Sequence, residues 1–347
     1  MLHIAGPTSR SDLAVQIGLN RSTIGSHVQD LAQAGFVTED QGRSGSVGRP
    51  SRVVSPLSLG AVVLAFDLRV EELITAVIGL GGHILARRVT PHERGQLTMK
   101  TASERIAEQA QDLVNELRIS PARVQGIGLA VPGLVDRHEG YLRYAPNLQW
   151  FDIPLITELR SALEPTPFVD MPIAMRNDAD AGALAERTRG AARNVTSAIY
   201  LSGGVGIGAG VVLNGRRIAD AGGFSGEVGH MIINPQGRVC DCGARGCWET
   251  EISIDRLISP AARVEVLEWL YVGLRNIVNV LNPDVVVLGD HLREFSDELN
   301  DRRLSGGRLA AMEQVEFRPS MLGRDSTLLG AAEAAFDPFL SNPLGSM

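Results

Sequence analysis

Residues Gly226 to His230 read Gly-Glu-Val-Gly-His, and residues Cys240 to Glu249 read Cys-Asp-Cys-Gly-Ala-Arg-Gly-Cys-Trp-Glu. All three cysteines of the 347-residue chain, Cys240, Cys242 and Cys247, lie in the second segment. Gly243 and Gly246 supply turns tight enough for the sulfurs to converge. An odd number of closely spaced thiols favours a metal over a disulfide framework; the competing reading is three reduced thiols beside a locally bonded histidine. Zinc takes four soft or borderline ligands in a tetrahedron, and His230 is the nearest upstream imidazole. The expectation is one structural zinc per chain on His230, Cys240, Cys242 and Cys247. Four protein ligands leave no open position on the metal, so its task is to hold neighbours in place. The flanking acids Glu227 and Glu249 remain free for other work.

Upstream of this segment, short β-rich runs at Ala61 to Asp67, Leu73 to Ile78 and His83 to Val89 predict a meander that opens a new domain. A helical pattern from Thr101 to Leu117 and a strand from Val124 to Val131 give α/β alternation. Gly133 stands at the carboxyl end of that strand, where open α/β sheets hold ligands, and Asn147 belongs to a second polar and aromatic loop. A strand ending near Met175 empties into Asn177-Asp178-Ala179-Asp180 before an alanine-rich helix. Asp178 and Asp180 can meet a ligand hydroxyl there, or cap the helix. The run from Gly203 to Gly210 permits close approach of an anion or a tight bend, and it lacks the Gly-Lys-Ser/Thr ending of a P-loop.

The first sixty residues are of a different kind. They hold five arginines against four acids, whereas the whole chain has a formal charge of −7. Ser9 or Ser11 can cap a short helix that Gly18 ends, and Asn20 starts a second, stopped by Gly35. Ile24, Val28 and Leu31 recur at helical spacing against Leu13 and Ile17. This is a helix-turn-helix, whose second helix presents Arg21, Ser22, Thr23, Ser26 and His27 to the major groove of double-stranded DNA. The segment after it reads as a winged hairpin, with Arg43, Arg49 and Arg52 placed for phosphate or minor-groove contacts. The alternative is a small helical protein-interaction domain with a solvated linker. No apolar run approaches the ~20 residues that span a membrane, and no basic start precedes a hydrophobic core, so a cytoplasmic protein is expected.

Together, Pro132-Gly133, Asn147 to Trp150, Asn177-Asp178-Ala179, the glycine run, Glu227 to His230 and Cys240 to Glu249 resemble the ROK family of repressors, open reading frames and kinases. The winged helix and Gly48-Arg49-Pro50 resemble its repressor branch. The resemblance implies an α/β chain in which a winged helix-turn-helix (residues 1–57) precedes an actin-like, ribonuclease H-like fold with lobes at 58–190 and 191–347. It also implies a sugar site at Gly133, Asn147, Asn177, Asp178, Glu227, His230 and Glu249, with His230 serving both zinc and sugar. The implied protein is a repressor, acting as a homodimer or dimer of dimers, whose operator affinity a sugar or sugar phosphate controls. Family kinases carry Asp-x-Gly-Gly-Thr where this chain reads Asp67-Leu68-Arg69-Val70-Glu71, and Asp290 stands where a second glycine is usual. From that bulky, acidic loop the expectation is no kinase activity; the alternative is a sugar kinase with Asp178 as general base.

Overall fold

The computed structural model describes residues 1–41, 52–218, 226–303 and 314–345. At the amino end α1 (Leu2–Ala5) leads through β1 (Thr8–Ser9) to α2 (Arg10–Ile17) and α3 (Arg21–Gln33). Ser9 caps α2 by accepting from Asp12 N, and left-handed Gly18 ends it. Asn20 caps α3 by accepting from Thr23 N. Next come β2 (Val37–Gln41) and β3 (Arg52–Pro56), which pair antiparallel as the sides of a wing, with β1 on the far side of β3. Ile24 and Val28 pack on Leu13 as expected, but Ile17 is 46% exposed. Its place is taken by Ala14, one helical turn earlier and small enough to let α3 approach.

The body repeats one plan twice. In the first sheet β4 (Val62–Leu68), β5 (Glu72–Gly79) and β6 (His83–Pro91) form an antiparallel meander. The helix α4 (Met99–Glu116) then returns the chain to β7 (Val124–Val131), parallel to β4. A small antiparallel sheet follows, made of β8 (Leu134–Asp136), β9 (Tyr141–Ala145) and β10 (Trp150–Ile153), and then α5 (Leu155–Leu163). The strand β11 (Ile173–Asn177) closes the first sheet, in the order β11-β7-β4-β5-β6. After α6 (Asp178–Arg189) the second sheet begins with β12 (Ala198–Gly203), β13 (Ile207–Leu213) and β14 (Arg216–Arg217). Next are α7 (Trp248–Ile252), α8 (Pro260–Leu281), β15 (Val285–Leu288), α9 (Ser296–Arg303) and β16 (Glu316–Pro319). The order β14-β13-β12-β15-β16 matches the first sheet strand for strand: a meander, then two parallel additions. This duplication is the two-lobed fold that the resemblance implied.

The last helix, α10 (Ser326–Ser341), lies on the first sheet although it follows the second, and a Cβ added at Gly128 would stand 2.0 Å from Ala331 O. Conversely α6, which follows the first sheet, packs on the second: a Cβ at Gly210 would lie 2.4 Å from Ala179 O. The two helices also touch each other, Gly330 admitting the Ala181 carbonyl. Alanine and glycine at these points allow backbone to approach backbone, which larger side chains would forbid.

Candidate functional site

The duplicated plan brings four loops together at one cleft: the β4–β5 and β12–β13 turns, and the chain at the ends of β7 and β11. A cavity of about 360 Å³ opens there, in the range of a small-molecule site. Gly133, Asn147, Asn177, Asp178, Glu227, His230 and Glu249 all line it.

From the first lobe, Gly133 (φ 97°) has no room for a side chain, since a Cβ would meet Tyr144 O at 2.2 Å. Its carbonyl accepts from Asn177 Nδ2 at 3.0 Å. Asn177 Oδ1 is the cap of α6, accepting from Ala179 N (2.9 Å) and Asp180 N (3.2 Å). One amide hydrogen of Asn177 is therefore left for the cavity. Asp178, the first residue of α6, is pushed up to a pKa of about 7, chiefly by burial and further by the charges of Asp67, Asp290 and Glu227, against the Ala179 N–H it accepts. A carboxyl poised there can accept or release a hydroxyl proton near neutral pH. Asp180 is not in the cavity lining; it pairs with Arg217.

From the second lobe, Glu227 and Glu249 bracket the His230 ring. Nδ1 lies 3.4 Å from Glu249 Oε1 and Nε2 lies 3.8 Å from Glu227 Oε2. Burial raises the Glu227 pKa, opposed by His230. The His230 Nδ1 edge also faces Cys240 Sγ at 3.7 Å, and Cys242 Sγ stands 3.6 Å from Cys247 Sγ. The donor atoms of His230, Cys240, Cys242 and Cys247 all lie within 4.8 Å of one another, so this group can hold a metal ion. Bonds of about 2.3 Å in a tetrahedron put sulfurs about 3.8 Å apart, close to the Cys242–Cys247 separation, so the donor set is of the kind that suits a tetrahedral zinc. The Cys240 thiol also donates to Glu249 Oε1 at 2.8 Å.

Sequence reading missed Arg94, Arg238 and Asp255, which also line the cavity. Arg94 donates to Asn147 Oδ1 and so turns the amide nitrogen of Asn147 to other partners. A lone arginine in a loop carries no sequence signal of such a task.

At the reader, Arg21, Ser22, Ser26 and His27 are exposed on α3 and Thr23 is half-buried. The Ser22 and Thr23 hydroxyls both donate to Asn20 Oδ1, so towards DNA they offer lone pairs. Arg52 is exposed and pairs with Glu39 at 3.0 Å. Arg43 and Arg49 lie outside the described residues.

The ROK family model matches residues 63–259. The chain belongs to the ROK family. It is similar to the xylose repressor of Bacillus subtilis, 30% identical over 96% of this chain and 92% of that protein. Among solved structures, a ROK family transcriptional regulator, a homologue of the Escherichia coli MLC protein, superposes with a TM-score of 0.75 at 23% identity, covering 96% of this chain and 93% of that one. The ROK hexokinase of Thermus thermophilus gives 0.64 at 28% identity, over 81% of this chain and all (100%) of that one.

The hexokinase corrects the expectation that this chain is no enzyme, and glucokinases are relatives as well. The structure supplies the physical reason. Glu71, the acid expected to repel ATP, is exposed and absent from the cavity lining, where Val70 stands instead. Arg69 is held by Asp67 (2.7 Å) and Glu72 (3.1 Å). Asp67, buried, is lifted to a pKa of about 6 by that burial despite Arg69. Among the described residues no helix is long and apolar enough to cross a membrane.

Proposed function

We propose that this chain is a transcriptional repressor whose affinity for operator DNA is set by a sugar or sugar phosphate held in the interlobe cavity. The observation that carries this reading is the pairing, in one chain, of a capped helix-turn-helix with a cavity lined by Asn177, Asp178, Glu227, His230 and Glu249. Similarity to a xylose repressor along nearly the whole length supports it. Carboxylates and amides are the groups that sort sugar hydroxyls, and Arg94 adds donors at the first-lobe side. A structural zinc on His230 and the three cysteines fixes the wall bearing Glu227 and Glu249. The working form is a homodimer or a dimer of dimers, placing two readers on half-sites about one duplex turn apart. Ligand closes or rotates the lobes and relieves repression by favouring the placement that suits DNA less.

The test is a DNA-binding assay on the region upstream of its own gene, screened with a sugar panel. A sugar-dependent change in operator affinity is expected, and indifference to every sugar would reject the reading. Arg21→Ala is expected to weaken operator binding about tenfold or more while leaving sugar binding intact. Unchanged operator binding would remove α3 as the reading element.

A second reading is favoured by the Asp178 carboxyl, whose pKa of about 7 suits a general base. On it the protein also transfers phosphate from ATP to the sugar. Incubation with ATP, Mg²⁺ and each sugar should then yield sugar phosphate, and Asp178→Asn should lower turnover by about 100-fold or more. An undiminished rate in that variant would remove Asp178 from the role.

A further inference from the structure

The reader is fastened to the body by a buried polar knot. His3 of α1 accepts from Gly81 N at Nδ1 (3.1 Å), and its Nε2 lies 3.2 Å from the Glu333 carboxylate of α10 and 2.7 Å from a terminal nitrogen of Arg189. Arg189, the last residue of α6, binds all three partners. Its Nε donates to Glu333 Oε1 (2.6 Å), one terminal nitrogen to Gly81 O (2.7 Å) and the other to His3 O (3.0 Å). The His3 ring lies 4.6 Å from that of Phe336, and Phe36, which follows α3, meets Phe339 edge-on at 5.0 Å. His3 and Glu333 are both buried.

The other end of α6 is in the cavity. Asn177 caps it and Asp178 is its first residue, so its twelve residues span about 18 Å from ligand site to reader. The helix is held by backbone contact on two sides, at Gly330 of α10 and Gly210 of β13. Such packing resists gradual deformation, so α6 would carry a displacement at Asp178 to Arg189 as one body. The knot is equally all-or-none, because parting it would strand a buried carboxylate.

We infer that Arg189 is the positioning residue through which sugar in the cavity sets the placement of the winged helix, with α6 as the connecting rod. This rests on the sugar-controlled repressor reading above.

The experiment uses full-length protein, a labelled duplex selected from a random-sequence pool, and D-xylose and D-glucose as probes. Operator Kd is measured with and without each sugar, and sugar Kd by calorimetry. The unmodified protein is expected to shift its operator Kd about tenfold. Arg189→Met and Glu333→Gln should keep the sugar Kd within about threefold and still bind the duplex, yet reduce the sugar-dependent shift to about twofold or less. A merely structural role would lower operator and sugar affinity without uncoupling them. Should Arg189→Met fail to fold, as lost sugar binding would show, the near-isosteric Glu333→Gln decides. A full response in the folded variants overturns the inference while sparing the repressor reading. No response of the unmodified protein to either probe rejects control by these two sugars, and this inference with it.

Discussion

Replacing Asp178 by asparagine is expected to weaken sugar binding by about 10- to 100-fold, the usual cost of losing a charged hydrogen-bond partner. The same change should stabilise the protein at pH 8. The folded-state pKa of about 7 stands above the ordinary 3.8, so between these values the folded protein holds a proton that the unfolded chain has released. Stability therefore falls as pH rises from about 4 to about 7 and stays low above, because an ionised Asp178 is poorly solvated where it sits. Asparagine escapes that loss while keeping an oxygen for Ala179 N. Discounted for the open cavity beside it, the gain is about 2 kcal/mol at pH 8 and vanishes near pH 4. Thermal midpoints of both proteins across this range provide the check. An equal difference at both ends would mean that burial does not set the Asp178 pKa.

Metal content is the second large effect. Purified protein is expected to carry about one zinc per chain, and Cys242→Ser to lose most of it. Cys242 is the informative position because it is exposed, whereas Cys247 is buried beside Trp248 and its substitution would also disturb the core. Trp248 packs so closely on Gly273 of α8 that a Cβ there would meet the indole at 2.0 Å, and its Nε1 donates to Trp269 O at 2.9 Å. The metal would tie this anchored helix, with Glu249 on it, to the turn bearing Glu227 and His230. Chelation should therefore lower the thermal midpoint and weaken sugar binding about tenfold or more together. Full sugar affinity in zinc-free protein would show that the wall stands without its metal.

The convergence of His230 and the cysteines was legible because all three thiols lie within eight residues of one another, so local turns alone bring them together. The strands of the first meander and the caps Ser9 and Asn20 were legible for a similar reason: each is decided by neighbours in sequence. The small sheet β8 to β10 was not, since Leu134–Asp136 is too short to display alternation and takes its order from Gly133 and the turns around it. The exchange of α6 and α10 between sheets was hidden by their composition. Residues such as Ala179, Ala181 and Ala331 are buried on nearly every side, so no apolar stripe marks which sheet each helix will cover. Ile17 misled for the opposite reason: helical spacing favoured it, and only the packed arrangement shows that the smaller Ala14 meets the partner.

The crossed helices also bear on how the chain is made. The face of the first sheet that receives Ala331 and Ala335 is complete once β11 has left the ribosome, yet its cover, Ser326–Ser341, follows only after the whole second sheet has been made. At ~5–20 residues per second that apolar face stays bare for on the order of ten seconds. A nascent chain halted between the sheets would expose that face, the kind of apolar surface that chaperones shield, until Ser326–Ser341 arrives.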